Sequence, residues 1–138
     1  MILVDTSAWV EFDRATGSAV DLRLLNLIGE SDEVAVTEPV VMEVLSGARS
    51  DEREAQLQSL LLRFHLLRFD PVADFAAAAR IYRSCRQRGI TPRGLIDCMI
   101  ASVAHRNNAS LLSQDIDLAR VAGVIGLRLD PASLSVSS

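Results

Sequence analysis

The chain contains no lysine: all 14 of its Lys+Arg residues are arginine. Any chemistry that needs a lysine amine is excluded, although part of this usage reads as the coding bias of a GC-rich bacterial genome. Cysteine is almost as scarce. Cys85 and Cys98 stand in helical patterns with no CxxC spacing, so they read as reduced packing residues of a cytosolic protein, not as a disulfide framework or metal ligands. Histidine is limited to His65 and His105, in no ligand spacing, and no Ser-His-Asp or Cys-His set can be assembled. No apolar run approaches the roughly 20 residues a membrane span requires. No basic region precedes the first apolar stretch, so the start reads as a strand beginning at residue 1 and not as a signal peptide. The formal net charge of -4 argues against a surface that is basic all over and binds nucleic acid indiscriminately.

What is present suits one domain. At 138 residues and 49% hydrophobic, the chain can fill a core. Trp9, Phe12, Phe64, Phe69 and Phe75 are most simply packing residues. Short apolar runs alternate with helical periods along the whole length. Strands are expected at Met1–Val4, Val34–Val36, Leu66–Phe69, Ser110–Leu112 and Ile125–Leu129. Helices are expected at Ala8–Arg14 with Thr6 or Ser7 as cap, at Ser18–Glu30, from Thr37 to Gly47, and at Asp51–Arg63. Further helices run from Asp70-Pro71 to Arg88, from Leu95 to Arg106, and to about Ala122 from a cap at Asp115 or Asp117. This alternation predicts an α/β fold of three layers, α/β/α, with a central, mainly parallel sheet of about four or five strands. Residues 1–131 form one domain in this reading, and 132–138 a loose tail.

Four carboxylates interrupt apolar surroundings: Asp5 after Ile2-Leu3-Val4, Glu43 within Val41-Met42-Glu43-Val44, Asp97 within Ile96-Asp97-Cys98, and Asp115 after Leu111-Leu112-Ser113-Gln114. Each alone has a plain explanation as a turn, cap or first-turn residue. Together they come from four separate elements, and desolvating them without a cation is costly. Asp5 and Asp115 follow predicted strands, on the side where open α/β sheets bind ligands. An all-carboxylate set favours Mg²⁺ or Mn²⁺ over zinc, and such ions commonly serve phosphodiester cleavage. Arg80, Arg83, Arg86, Arg88 and Arg93 lead directly to Asp97. They read either as a solvated helix face or as a basic rim gripping a phosphate backbone, with Arg86, Arg88 and Arg93 as the candidate RNA contacts.

These residues resemble the PIN-domain family, especially its VapC-type toxins. Val4-Asp5-Thr6-Ser7-Ala8-Trp9 looks like that family's opening. Glu43, Asp97 in Ile96-Asp97-Cys98-Met99-Ile100-Ala101, and Asp115 in Ser113-Gln114-Asp115-Ile116-Asp117-Leu118 look like its second, third and fourth acids. Ser113 stands where threonine is common and Leu118 where phenylalanine is common; neither departure touches a carboxylate. The resemblance covers nearly the whole chain. It implies catalytic roles for Asp5, Glu43, Asp97 and Asp115, with Asp5, Asp97 and Asp115 on the metal. It also implies supporting roles for Ser113 and Asp117, and for Thr6 in orienting Asp5 or a metal-bound water. The implied activity is Mg²⁺- or Mn²⁺-dependent cleavage of structured RNA, tRNA being the favoured substrate, leaving a 5′-phosphate and a 3′-hydroxyl. A homodimer, a cytoplasmic location and a cognate VapB-like antitoxin are implied as well. For the antitoxin, apolar helix residues between Val20 and Leu62 offer a groove, and the acids could accept its arginine. Two other readings compete. A receiver domain or aspartyl-phosphate phosphatase would want a lysine, which is missing, and the phosphatase pattern wants an acid where Ser7 stands. A degenerate module that binds RNA or a partner without turnover would keep these carboxylates buried with nothing to compensate them.

Overall fold

A computed structural model describes residues 1–136. Four short strands form a parallel sheet: β1 (Ile2–Val4), β2 (Val34–Val36), β3 (His65–Leu66) and β4 (Ser110–Leu112), in the order β3-β2-β1-β4. Seven helices connect them. They are α1 (Thr6–Asp13), α2 (Ala19–Glu30), α3 (Glu38–Ser46), α4 (Asp51–Leu61), α5 (Ala73–Gln87), α6 (Ile96–Arg106) and α7 (Ile116–Ile125). Helices α1–α4 pack among themselves, as do α5–α7, and the architecture is the expected α/β/α sandwich. β1, β2 and most of β4 are buried, so these strands are continuously apolar, as a sheet covered on both faces requires. Leu3, Val4, Leu24, Val40, Ile100, Leu111 and Leu118 are among the fully enclosed side chains of the core.

The strand order matters for the site. From β1 the chain moves outward to β2 and β3, then crosses back to place β4 on the other side of β1. The gap between β1 and β4 is thus the point where winding reverses, and ligand crevices in such sheets open there, beyond the carboxyl ends of the strands. Val4 lies opposite Leu112, and the Asp5 amide donates to the Leu112 carbonyl at 3.0 Å. That register sets Asp5 beside Ser113.

Several expected boundaries differ. Asp5 itself, not Thr6 or Ser7, caps α1, which therefore starts at Thr6. Thr37 occupies the cap position of α3, but its buried hydroxyl has no hydrogen-bond partner among the described residues. The third strand is His65–Leu66; by Phe69 the chain has left the ladder, and the Phe69 amide donates to Glu38 Oε1 at 2.7 Å. The expected last strand at Ile125–Leu129 is contracted to one parallel bridge between Leu129 and Leu111. Val121, Ala122, Val124 and Ile125 continue the helical period of α7, which Gly126 ends with a left-handed φ of +70°. The segment after Pro131 is tied down as far as Leu134. Ser133 Oγ donates to the Leu111 carbonyl at 3.0 Å and accepts from the Ser113 amide at 3.1 Å, while the Leu134 amide donates to the Ser113 carbonyl at 2.9 Å. Position 137 onward lies outside the described residues. Among those described, no helix is long and apolar enough to cross a membrane.

A buried ion pair fastens α5 to α6. Asp74, fully enclosed, accepts from Arg106 at 2.7 and 3.2 Å, from Ser102 Oγ at 2.7 Å and from the Asp70 amide at 2.8 Å. Burial alone would raise the Asp74 carboxyl, but Arg106, the Asp70 amide and Ser102 outweigh it and hold it below its ordinary value. A lowered folded-state pKa stabilises above the unfolded value and ceases to do so as pH falls through the folded one. Asp74→Ala strands half of a charge pair. The variant should lose about 3 kcal/mol at pH 7 in urea denaturation, and its deficit against the parent should shrink as the pH is taken below the carboxylate range.

Candidate metal centre

Three helix N-termini meet at the carboxyl ends of β1 and β4, and each brings an acid. Asp5 caps α1, Asp97 lies in the first turn of α6, and Asp115 caps α7 by accepting from the Asp117 amide at 2.9 Å. The positive ends of these helices favour negative charge there, which is one reason the fold tolerates the cluster. One oxygen each of Asp97, Asp115 and Asp117 lies within 4.8 Å of the others, a spacing suited to a shared cation. Asp5 and Glu43 act on the same group: both raise the Asp97 carboxyl through space. Of the four acids picked out from the sequence, Asp97 and Asp115 share this cluster with Asp117, and Asp5 and Glu43 lie near enough for their charge to act on Asp97.

Asp5 is 2% exposed, and its environment is built to hold one oxygen. Oδ2 accepts from Ser7 Oγ at 2.6 Å, from the Ser7 amide at 3.3 Å and from Ser113 Oγ at 3.2 Å. Oδ1 receives no hydroxyl among the described residues. The two serines are themselves positioned by backbone: the Gln114 amide donates to Ser7 Oγ at 2.8 Å, and the Asp115 amide to Ser113 Oγ at 3.0 Å. Ser113 thus supports both Asp5 and the turn that carries Asp115. Ser7 is the residue that sequence reasoning missed, because a hydroxyl two positions after an acid looks like any helix start. Thr6 contacts a different acid from the one expected: its hydroxyl donates to Glu43 Oε1 at 2.7 Å, reaching across to α3 and not to Asp5.

The electrostatics favour a cation beside these acids. Burial pushes the Asp97 carboxyl up to about 7, helped by the charges of Asp115, Asp5 and Glu43 and opposed only by Arg93. Burial likewise raises Asp5 despite its bonds to Ser7, and Asp115 adds to that effect. An all-oxygen, strongly anionic donor set of this kind matches a hard divalent cation and has no sulfur or imidazole for a softer one. Cys98, adjacent to Asp97, is buried beside Cys85, and burial pushes its thiol up to about 12, so it stays a neutral packing group.

The arginines divide. Arg93, on the loop before α6, ion-pairs with Asp115 at 2.9 Å and with Asp117, and so sits at the mouth of the cluster. Arg88 donates to the Val124 carbonyl at 2.9 Å, in the last turn of α7 and roughly 13 Å along the helix from Asp115. Arg86 lies over the Tyr82 ring, 5.9 Å from its centroid. The fold brings only Arg93, of these three, to the acids.

The chain is similar to known proteins over nearly its whole length. A PIN-domain family model matches residues 2–124. Ribonuclease VapC11 of Mycobacterium tuberculosis is 45% identical over 130 residues, covering 93% of this chain and 96% of the relative. Among solved structures, VapBC2 from Rickettsia felis, bound to a DNA fragment of its promoter, aligns with a TM-score of 0.72 at 20% identity, over 94% of this chain and 98% of that one. M. tuberculosis VapC20, described as a sarcin-ricin-loop-cleaving toxin, aligns with a TM-score of 0.65 at 14% identity, over 92% and 96%. The chain belongs to the PIN-domain family, and within it to the VapC type.

The raised Asp97 carboxyl has a measurable consequence. From its ordinary value of 3.8 up to about 7, the folded protein holds a proton there that the unfolded chain has released, so stability falls as pH rises through that window. In EDTA, the thermal midpoint of the metal-free protein should drop between pH 5 and pH 8, and Asp97→Asn should flatten the drop and melt higher than the parent at pH 8. Equal slopes in the two proteins would show that Asp97 carries no such penalty.

Proposed function

We propose that this protein is the ribonuclease toxin of a type II, VapBC-like toxin–antitoxin pair, cutting structured RNA at a phosphodiester bond with Mg²⁺, for which Mn²⁺ can substitute. The observation that carries this reading is the cluster of Asp97, Asp115 and Asp117, with Asp5 and Glu43 near enough to add to a repulsion that a divalent ion would relieve. Relatives named as VapC ribonucleases, matching over nearly the full length, supply the reaction class.

Asp97, Asp115 and Asp5 would hold the ion, with Asp117 beside them. Bound there, it would offset the charge of the scissile phosphate and make the attacking water more acidic. The chain's own residues do the rest. Ser7 and Ser113 fix Asp5 through Oδ2, and Thr6 fixes Glu43 through Oε1, leaving Oε2 to orient that water and accept its proton. In-line attack by water leaves a 5′-phosphate and a 3′-hydroxyl. Arg93, and more distantly Arg86 and Arg88, form the basic rim for the RNA backbone. We favour tRNA as substrate on family resemblance. VapC20 cleaves the sarcin-ricin loop instead, which fits the view that rim shape and not the acid set selects the target.

A VapB-like antitoxin is the proposed inhibitor. A groove of about 450 Å³ between α1, α3 and α4 runs beside Glu43 and is floored by Trp9, Phe12, Val44, Leu57 and Leu60. The groove takes in α1 as well as part of the Val20–Leu62 region expected to supply it. Exposed Met42, Phe75 and Leu95 provide apolar surface for the homodimer that the family resemblance suggests. The cytoplasm, where RNA and antitoxin would be met, is the proposed location.

Purified, antitoxin-free protein incubated with total bacterial RNA should yield discrete fragments with Mg²⁺ or Mn²⁺ and none with EDTA. Asp5→Ala should be inactive, and Ser7→Ala slower by about 10–100-fold. End-sequencing should find 5′-phosphates; 2′,3′-cyclic phosphate ends would contradict water attack. Folded protein that binds RNA yet never cuts it, whatever the metal, would favour a binding module.

A further inference from the structure

Arg93 does something the basic-rim reading does not account for. It lies in the loop between α5 and α6, next to the buried Pro92. Its guanidinium bridges two carboxylates on the first turn of α7: Nε bonds Asp117 Oδ2, and one terminal nitrogen bonds Asp115 Oδ1 at 2.9 Å. Both carboxylates belong to the trio whose oxygens lie within 4.8 Å of one another. Asp115 Oδ1 also accepts the Asp117 amide at 2.9 Å, and Asp117 Oδ1 is met by Arg120 at 3.3 Å. Both oxygens of Asp117 and one oxygen of Asp115 are therefore already engaged by guanidinium. The Arg93 side chain is 73% exposed, so letting go costs it little solvation and little packing.

We infer that Arg93 is a built-in stand-in cation, which neutralises Asp115 and Asp117 in the metal-free protein and must be displaced by the divalent ion, so that it sets the metal concentration at which the site fills. This rests on the metal reading above and adds a regulator to it. The planar fork matters as well as the charge, since its fixed, spread donors span two acids at once where a lysine would offer a compact point charge. Arg120 touches Asp117 from outside the trio and contributes charge without bridging.

The test is calorimetric titration of Mn²⁺ into metal-free full-length protein, comparing the parent with Arg93→Gln, Arg93→Lys and Arg120→Gln. Arg93→Gln should bind Mn²⁺ about fivefold tighter, as expected for removing one exposed ion pair that competes with the ligand. Arg93→Lys should fall between it and the parent, and Arg120→Gln should change affinity less than twofold. In a parallel NMR titration with diamagnetic Mg²⁺, the Arg93 Nε–H signal should lose its protection from exchange as the site fills. Unchanged or weaker binding by Arg93→Gln, or an equal gain in Arg120→Gln, would overturn the inference while leaving the metal reading intact. No Mn²⁺ binding by any of the four proteins would overturn both.

Discussion

Repulsion among carboxylates crowded at one end of a parallel sheet is the constraint around which the rest of this molecule is arranged. Asp5, Glu43, Asp97, Asp115 and Asp117 would not gather spontaneously; a fold that collects them must offset the cost. It does so in three ways. Helix N-termini point at three of the acids, serine and threonine hydroxyls stabilise particular oxygens, and Arg93 bridges two carboxylates. The offset is incomplete, as the raised carboxyls of Asp97 and Asp5 record. A remaining deficit of positive charge would suit the proposed site, which has to attract a cation and then a phosphate.

The core makes that arrangement possible by being rigid. Buried β1 and β4 fix Asp5 against Ser113 through their register, and one slipped residue would point the acid elsewhere. Enclosed residues of α6, such as Ile100 and Val103, hold the helix whose first turn carries Asp97. The Asp74–Arg106 pair fastens the far end of α6 to α5, so the helix is held at both ends. Even the C-terminal segment takes part, because Ser133 grips the backbone of β4 next to Ser113.

Much of this was legible in the residue order. Strand–helix alternation and uninterrupted apolar strands pointed to a covered parallel sheet, and carboxylates set in apolar runs pointed to the sheet end where they meet. What stayed hidden depends on long-range partners. Nothing local distinguishes Arg93, which reaches two acids of α7, from Arg88, which holds a carbonyl at the other end of that helix. Thr6 sits next to Asp5 in sequence, yet its hydroxyl serves Glu43, 37 positions away. The run Val124-Ile125 could begin a strand or extend a helix, and packing of Val121 and Ala122 against the core decided for the helix. A serine near the terminus reads as tail until its partner, Leu111, is known.

If these carboxylates hold a divalent ion between them, anomalous diffraction at the manganese edge from crystals of the full chain grown with Mn²⁺ should show a strong peak enclosed by Asp5, Asp97 and Asp115, with the Arg93 side chain moved off Asp115. Well-ordered crystals with no peak there, or with manganese bound only elsewhere and Arg93 still bridging Asp115 and Asp117, would contradict that reading.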